Sequence, residues 1–284
     1  MNRIRIQHLT EYLFSEPVTF KPHRLLIRPR EGHDVRIESS KLVISPAFST
    51  KWQRDVFDNS LAVVTFKEPS NKLSITSEVV IQHFEQAPFD FMLENYAATY
   101  PFNYADAERT DLLAYQQLVF LNDQNTINQW LHQFNYLGMN TFNMLMMLNQ
   151  HISNQFRYQM REEPGVQSPA YTLEHQSGSC RDFATLLIEA CRCLGLASRF
   201  VSGYLHAPAT EEGHASTHAW VEVYLPGTGW KGFDPTSGEV TSSKHIAVAV
   251  ARNPIDVPPI AGSYIGLDSN KPTMLVDVKV NLLA

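Results

Sequence analysis

The sequence predicts an α+β fold in which an N-terminal antiparallel β module precedes a domain that combines helices with an antiparallel sheet. Three features of the 284-residue chain indicate this order. Apolar and polar residues alternate with a period of two as far as Phe84, which is typical of half-buried strands. Helical spacing of apolar residues follows, and strand periodicity then returns. We therefore predict a β-rich domain over 1–85 and a second domain over 86–284.

The composition indicates a globular protein and disfavours several classes of partner. Of the residues, 44% are hydrophobic and 18% are charged, and the net charge is −6 without a basic block. On electrostatic grounds we expect neither nucleic acid nor an anionic membrane surface as a partner. The opening sequence MNRIRIQHLTEYLF lacks the continuous apolar core of a signal peptide, and no apolar run approaches the roughly 18 residues of a membrane helix. We expect a cytoplasmic location.

Five short strands are predicted in the N-terminal domain. Turn-forming sequences separate them, namely SEP, REGHD, DNS and PSNK. The strand segments are RIRIQHLTEYLF, HRLLIRPR, VRIESSKLVISP, LAVVTFKE and KLSITSEVVIQHF. Because no helical segment lies between them, we expect an antiparallel sandwich or barrel-like module.

Three helices are predicted between the β-rich part and the cysteine-containing segment. Their expected ranges are 110–121, 126–136 with Asn125 as N-cap, and 142–156 with Thr141 as N-cap. In the third helix, apolar residues advance by three or four positions and form one stripe. The stripe consists of Phe142, Leu145, Leu148, Ile152 and Phe156.

All three cysteines lie in the segment GSCRDFATLLIEACRCLGLASRF. After Gly178 and Ser179, the apolar spacing predicts a helix that begins at Cys180 and ends before Gly195. The unpaired N–H groups and the positive end of the dipole at a helix start favour an anion. Cys180 is therefore placed where a thiolate is stabilised, and the same amides could hold a developing oxyanion.

Cys191 and Cys193 lie deep in the same predicted helix and flank its apolar stripe. We interpret them as small buried hydrophobic residues. Their spacing directs them to different sides of the helix, so we expect neither a disulfide nor a metal chelate between them. Asp182, in the first turn, is interpreted as a negative charge that is favourable to the helix dipole.

A histidine and an aspartate downstream are potential partners of Cys180. In HAWVEVYL, His218 and Trp220 share one face of a predicted strand. The turn sequence PGTG follows, and WKGFD runs back antiparallel, which returns Asp234 to the neighbourhood of His218. An acid beside His218 would set the tautomer of the ring and leave the other nitrogen to take the thiol proton.

A metal site is an alternative use of the histidines. It would combine His206, His214 and His218 with Cys180. In a strand, His214 and His218 would share one face but lie too far apart to share a metal, and HASTHAW is poor in helix formers. The acidic residues show no Ca²⁺ loop pattern. We expect no metal and no cofactor, with His206 and His214 in a loop near the mouth of the cleft.

Three segments resemble the motif blocks of the transglutaminase-like superfamily, whose core has a papain-like fold. They are GSCRDFATLLIEACRCLGLASRFVSGYL, THAWVEVYLPGTGW and GFDPTSG, within 173–238. The resemblance implies that Cys180 is a catalytic nucleophile, His218 the general base and acid, and Asp234 the orienting acid. It also implies a papain-like or transglutaminase-like core in which the helix that carries the nucleophile packs on an antiparallel sheet.

The flanking regions resemble a bacterial branch of this superfamily. The β-rich start, which includes FDNSLAVVTF, resembles the N-terminal region that precedes the core there. The segment HIAVAVARNPIDVPPIAGSYIG resembles the one that follows the core, although ARNP departs from the Gly-Arg-Asp-aromatic run of the family. If that segment lines the substrate cleft, the departure bears on the choice of substrate.

A second oxyanion donor is not evident from the sequence. Animal transglutaminases supply a tryptophan well before the cysteine and papain-like proteases a glutamine shortly before it, whereas here no tryptophan lies between Trp130 and Cys180. We expect the backbone N–H of Cys180 to be one donor and name Gln176 and Tyr171 as candidates for the other. Trp220 is interpreted as a packing residue that could also shield the ion pair.

These residues predict a cysteine-dependent acyl-transfer enzyme that acts through an acyl-enzyme. We expect a hydrolase, that is a cysteine protease or amidase, whose partner is a peptide or protein amide substrate. An amine-accepting protein-glutamine transglutaminase and a non-catalytic peptide-binding module of the same fold are the alternatives. The binding module is less favoured because Cys180, His218 and Asp234 are all present.

Overall fold

The structure is a computed structural model that describes residues 1–84, 88–161, 163–206 and 217–283. Antiparallel sheets at the N-terminus precede helices that pack on a five-stranded antiparallel sheet, so the predicted α+β fold class is confirmed. The helices are α1 (Asp106–Gln116), α2 (Gln124–Leu131), α3 (Thr141–Gln155), α4 (Pro169–His175) and α5 (Cys180–Cys193). None of the helices in these ranges combines the length and the apolar character that crossing a membrane requires.

The strands fall into two groups along the chain. The first group is β1 (Asn2–Phe20), β2 (His23–Leu25), β3 (Val35–Ser45), β4 (Phe48–Arg54), β5 (Ser60–Phe66) and β6 (Ser70–His83). The second group is β7 (Arg157–Tyr158), β8 (Ser177–Gly178), β9 (Ser198–Leu205), β10 (Thr217–Leu225), β11 (Gly229–Asp234), β12 (Glu239–Val240), β13 (His245–Ala251), β14 (Ile260–Ala261), β15 (Tyr264–Ile265) and β16 (Thr273–Leu283).

All five strands predicted in the N-terminal part are present, and the structure adds β4, which the periodicity did not reveal. This strand has the sequence FSTKWQR and lies at the edge of the sheet ordered β14-β2-β5-β4. Most of its side chains are exposed. Because an edge strand without a buried face needs no alternation of apolar and polar residues, it produces no period-two signal.

The three helices predicted before the cysteine segment are present, but their ends differ from the prediction. Helix α1 spans Asp106–Gln116 rather than 110–121, since its charged first turn, DAER, has no apolar periodicity yet suits the helix dipole. Helix α2 spans Gln124–Leu131, so Asn125 lies inside the helix and the prediction that it is the N-cap is wrong.

The N-cap of α3 is Asn140, so the prediction of Thr141 is wrong by one residue. The Asn140 side chain accepts a hydrogen bond from the Asn143 N–H at 3.1 Å. The Thr141 hydroxyl instead donates to the carbonyl of Ala97 at 2.6 Å, which leaves it as the first helical residue. The predicted stripe is buried at Leu145, Leu148, Ile152 and Phe156.

Helix α4 was not predicted. The Ser168 side chain caps it by accepting a hydrogen bond from the Tyr171 N–H at 3.2 Å, and Pro169 occupies the first helical position. A Ser-Pro pair is a recognised helix start. The helix has only seven residues, which is too short for an apolar stripe to be recognised.

Helix α5 packs across the sheet whose strand order is β12-β11-β10-β9-β13. It spans Cys180–Cys193, as predicted, and Gly195 follows it with a left-handed φ of 76° that glycine adopts readily. Phe183 of α5 belongs to the same buried cluster as Val221 and Val223 of β10. This packing holds the start of α5 beside the start of β10.

Strand β13 was missed because both of its faces are covered. All but one of its residues are buried, so HIAVAVA shows a continuous apolar run instead of alternation. The alternation in the C-terminal segment TMLVDVKVNLL predicts a final strand, and this strand is present as β16. It pairs antiparallel with β1 from Leu13 opposite Thr273 to Arg3 opposite Leu283. The C-terminal strand thus completes the N-terminal sheet, and the division into 1–85 and 86–284 stays a prediction.

A buried asparagine joins the N-terminal part to the edge of the second sheet. Asn59 accepts a hydrogen bond from the Val250 N–H at 2.9 Å and donates to the Val250 carbonyl at 2.8 Å, as a neighbouring strand would. Arg30 donates through its side chain to Asn59 at 2.7 Å and through its backbone N–H to the Ala247 carbonyl at 2.8 Å. These contacts hold β13 along its length.

Candidate active site

The sequence GSC places Cys180 at the first position of α5, as predicted. Ser179 is the N-cap and forms a reciprocal capping box with Asp182. A Cβ atom at Gly178 would lie 2.8 Å from the Cβ of Asp182, so this position requires glycine. The capping box and the Ser179 carbonyl take up the N–H of Asp182, whereas the N–H groups of Cys180 and Arg181 have no partner within the helix and can face an anion beside Cys180.

Asp182 is fully buried, and its role is larger than the predicted effect on the helix dipole. Its Oδ1 accepts hydrogen bonds from Arg161 Nη1 at 2.8 Å and from the Gln167 N–H at 2.7 Å. Its Oδ2 accepts from the N–H and the hydroxyl of Ser179 at 2.8 and 2.7 Å. The carboxylate therefore binds the helix start to Gln167, which directly follows the segment 164–166 that lines the cavity beside the thiol.

The β10–β11 hairpin brings Asp234 to His218, as its turn sequence predicts. Phe233 pairs with Val221, which places Asp234 diagonally across from His218. His218 Nε2 lies 2.8 Å from Asp234 Oδ2, and both side chains are buried. Cys180 and His218 line the same cavity, and the interaction with Cys180 is one of the causes that raise the pKa of His218. Nδ1 of the ring is not used by the acid. The structure thus brings the three predicted residues together.

The environment shifts the ionisation of this group strongly. Burial lowers the pKa of His218, but hydrogen bonds and charge interactions with Asp234 and Cys180 outweigh burial and raise the pKa to about 10. For Asp234, burial raises the pKa, but hydrogen bonds from His218 and His245 hold it well below its usual range. A protonated His218 beside an ionised Asp234 is therefore favoured.

A second histidine, His245, also contacts Asp234 and was not singled out from the sequence. Its Nε2 lies 3.2 Å from Asp234 Oδ2, the oxygen that also binds His218. The Thr236 N–H donates to the other oxygen, Oδ1, at 2.9 Å. No local spacing signals the contact with His245, because two strands separate β13 from β11 in the sheet.

His218, Asp234 and His245 also form a group with the composition of a metal site. Their potential ligand atoms lie within 4.8 Å of one another. This set shares only His218 with the alternative considered from the sequence. Of the other two histidines in that alternative, His206 directly follows β9, and His214 lies outside the described residues.

Trp220 packs behind the two histidines. The centroid of its ring system lies 5.3 Å from that of His245 and 6.2 Å from that of His218. The indole contacts apolar side chains of β9 and β13, and a Cβ atom at Gly203 would lie 2.6 Å from it. The predicted packing is confirmed, and shielding of the ion pair by Trp220 stays a prediction.

The two residues named as second oxyanion donors do not line the cavity beside Cys180. Tyr171 is about half exposed, and its ring stacks on His175 with centroids 3.9 Å apart. Gln176 is exposed and ends α4 with a left-handed φ of 47°, while its carbonyl accepts from the Arg157 N–H at 2.8 Å. Their predicted role in holding an oxyanion remains untested.

Tyr158 is a neighbour of the thiol that the sequence analysis missed. Strand β7 pairs in parallel with β8 and sets Tyr158 opposite Gly178, two residues before Cys180. Burial, followed by the charge of Cys180, raises the pKa of Tyr158 to about 12. The hydroxyl is therefore protonated at neutral pH and can act as a hydrogen-bond donor, although Tyr158, like Tyr171 and Gln176, is not among the residues that line the cavity.

The other two cysteines differ from Cys180 in burial. Cys191 is fully buried, which raises its pKa to about 12 and confirms its interpretation as a small core residue. Cys193 is half-buried, which raises its pKa to about 11. All three are free thiols, as expected from their spacing. Neither Cys191 nor Cys193 is a thiolate to a useful extent at neutral pH.

A cavity of about 410 Å³ opens beside Cys180 and His218. Its lining is mainly apolar, and one wall consists of the proline-rich segment at 254–259. The apolar residues of the lining are Pro164, Val166, Phe200, Ala219, Pro254, Ile255, Val257, Pro258 and Pro259. An apolar group of a ligand would therefore be desolvated next to the thiol.

Two family models match the chain, one in the N-terminal β-rich part and one in the part that contains the helices and the second sheet. Residues 4–82 match the bacterial transglutaminase-like N-terminal region, and residues 130–235 match the transglutaminase-like superfamily. The second match includes Cys180, His218 and Asp234. Together the two matches cover more than half of the chain.

Similar proteins extend over nearly the whole chain. The chain is 27% identical to an uncharacterised protein of Mycobacterium tuberculosis, over 99% of this chain and 93% of the relative. It is 24% identical to an uncharacterised protein of Mycobacterium leprae, over 98% and 99% respectively. A solved structure of a proposed cysteine protease from Cytophaga hutchinsonii has a TM-score of 0.76 at 19% identity and covers 100% of this chain and 91% of its own. That likeness shows a shared fold.

Proposed function

The chain belongs to the transglutaminase-like superfamily, and on this premise we propose that it is a cysteine-dependent hydrolase of peptide or side-chain amides. Cys180 is the nucleophile, His218 the general base and acid, and Asp234 the orienting acid. The supporting observation is the 2.8 Å contact between His218 Nε2 and Asp234 Oδ2, because it leaves Nδ1 of the ring to the thiol.

In the first half-reaction, the Cys180 sulfur attacks the carbonyl carbon of the amide. The C–N bond breaks, His218 gives its proton to the departing nitrogen, and a thioester joins the acyl group to Cys180. The transient oxyanion accepts a hydrogen bond from the Cys180 N–H, which is unpaired at the start of α5. The Tyr158 hydroxyl is our candidate for the second donor.

In the second half-reaction, His218 takes a proton from water while the water oxygen attacks the thioester. The C–S bond then breaks, and the acid product leaves. An amine in place of water would give transglutaminase activity, which is the second candidate function. We favour water because the described residues that line the cavity include Arg181 but no aspartate or glutamate, so an approaching ammonium group meets no opposite charge.

The decisive experiment is mass spectrometry of a peptide library incubated with the protein, with and without an added primary amine. New N-termini indicate peptide hydrolysis, and conversion of glutamine to glutamate indicates side-chain hydrolysis. Amine adducts would favour a transglutaminase. If a Cys180→Ala control gives the same products as the wild type, another group is the nucleophile and the proposal of a cysteine hydrolase is wrong. If the peptides stay unchanged both with and without the amine, the proposal is also wrong and a binding module is favoured.

Alkylation by iodoacetamide tests the nucleophile without a substrate. We expect Cys180 to react at least about tenfold faster than Cys191 or Cys193 at pH 7, since burial keeps those two thiols protonated. His218→Ala should slow the reaction of Cys180 because the sulfur loses its positively charged neighbour. Peptide mapping of the alkylated protein measures each rate, and equal rates at all three cysteines would contradict the assignment.

The cavity also predicts a preference among substrates. Amides flanked by a large apolar side chain should be hydrolysed about tenfold faster than those flanked by lysine or aspartate, because burial of such a side chain is favourable and burial of a charge is not. Competition between matched peptides measures the ratio of kcat/KM values. Ile255→Lys should reduce the preference for apolar residues, and an absence of side-chain preference in the wild type would contradict this prediction.

A further inference from the structure

We propose that His245 is a positioning residue that holds the Asp234 carboxylate in the orientation in which it binds His218. The inference rests on the proposed function, since orientation of Asp234 affects a reaction only where His218 moves protons. Asp234 is 1% exposed, so every hydrogen bond to its carboxylate has to come from the protein around it.

The donors to Asp234 determine the plane of its carboxylate. Oδ1 accepts from the Thr236 N–H at 2.9 Å, and Oδ2 lies 2.8 Å from His218 Nε2 and 3.2 Å from His245 Nε2. Three donors from different directions leave the carboxylate no freedom to rotate. Without His245, Oδ2 loses one of its two hydrogen-bond donors, and the carboxylate can rotate so that Oδ2 moves away from the His218 ring.

The hydrogen bond on the far side of His245 assigns its tautomer. The Ser242 N–H donates to His245 Nδ1 at 3.2 Å. A backbone N–H has no other role than donor, so Nδ1 is the acceptor and the ring proton resides on Nε2. His245 therefore donates to Asp234 in its neutral form, without adding a charge to the site.

The same hydrogen bond argues against a metal between these residues. A metal bound by His245 Nε2 would need the lone pair of that nitrogen, which moves the ring proton to Nδ1. Nδ1 would then point a proton at the Ser242 N–H, and two donors would oppose each other. The proximity of the two histidines and Asp234 is thus better explained by hydrogen bonding than by ligation.

The surroundings keep the His245 ring in place. It is buried, and the edge of Trp220 packs against it with centroids 5.3 Å apart. Further along β13, the Arg30 N–H binds the Ala247 carbonyl, and Asn59 binds both backbone groups of Val250. A positioning side chain on a strand held in this way has little freedom of its own.

Two substitutions separate positioning from packing. In His245→Gln, the side-chain NH₂ can donate to Asp234 while the oxygen accepts from the Ser242 N–H. His245→Leu retains apolar volume but provides neither bond. For hydrolysis of a peptide from the library, we expect His245→Leu to lower kcat about tenfold with KM little changed, and His245→Gln to lose about threefold or less. If the leucine variant is as active as the wild type or more active than the glutamine variant, the proposal is wrong.

Nuclear magnetic resonance of ¹⁵N-labelled histidine tests the tautomer without any substrate. The expected spectrum of the wild type shows a neutral His245 with its proton on Nε2, and a proton on Nδ1 would overturn the inference. As a matched control, His23→Leu removes a different buried histidine, whose ring packs edge-on against Phe20 and whose Nδ1 bonds the Lys21 carbonyl. It should lower stability but leave kcat unchanged.

Failure of this inference differs from failure of the proposed function. If His218→Ala leaves the alkylation of Cys180 unchanged and no amide is hydrolysed, the proposed function fails. If His218→Ala slows alkylation and peptides are hydrolysed, but His245→Leu matches the wild type in kcat, only the role of His245 is refuted.

Discussion

Replacement of Cys180 by alanine should lower kcat for amide hydrolysis by about 10⁴-fold or more, as loss of a nucleophile does in other triads. The reason is that the first half-reaction forms a bond to the Cys180 sulfur and the second breaks it. The substitution should leave the fold intact, because the side chain is only partly buried and alanine is well tolerated in a helix. Hydrolysis of a fluorogenic peptide, together with a thermal unfolding curve, measures both effects.

A matched control is Cys193→Ala, which removes a partly buried thiol from the other end of the same helix. We expect its kcat to stay within about twofold of the wild type, since a substitution distant from the reacting atoms changes stability rather than chemistry. Residual hydrolysis by Cys180→Ala at a similar level would show that another group is the nucleophile.

Replacement of Asp182 by alanine should lower the free energy of unfolding by about 3–5 kcal/mol, the range for loss of one partner of a buried ion pair. The variant removes the buried carboxylate from the Arg161 guanidinium, whose side chain is 16% exposed, and leaves it only the exposed Glu163 carboxylate at 3.6 Å among the described residues. It also removes the acceptor of two backbone N–H groups, the partly buried one of Gln167 and the buried one of Ser179. Urea unfolding followed by tryptophan fluorescence measures the change.

The control for this variant is Asp106→Ala, which breaks an ion pair with Arg109 at the surface. The two side chains are 89% and 60% exposed, so the change should stay within about 0.5 kcal/mol. A cost for Asp182→Ala as small as that of the control would contradict the role that we give to the buried network. In the folded fraction, Asp182→Ala should also slow alkylation of Cys180, because the capping box that sets the helix start is lost.

Elements with one buried face were predicted well from the sequence. The alternation in β1, β3 and β6 and the apolar spacing in α3 and α5 follow directly from which side chains face the core. The method fails where that asymmetry is missing. Strand β4 has no buried face and β13 has two, so neither shows a period.

Helix ends were predicted less accurately than helix positions. The N-cap of α3 is Asn140 and not Thr141, because the Thr141 hydroxyl binds the Ala97 carbonyl of a distant segment. Both side chains could cap a helix, so local preference does not distinguish them. The N-cap is determined by a contact with a residue outside the helix, and the local sequence contains no sign of that contact.

The helix start at Cys180 and the hairpin that joins His218 to Asp234 could be predicted from the sequence, because both depend on neighbours along the chain. The helix start depends on a glycine and a cap, and the hairpin depends on a turn. The contacts between distant segments could not: Cys180 lies beside His218, Asp182 binds Arg161 and His245 binds Asp234 because of tertiary packing. These residues come together because helices and strands pack against one another to bury apolar surface. The contacts that result join positions far apart in the chain, and no regular spacing in the sequence indicates them.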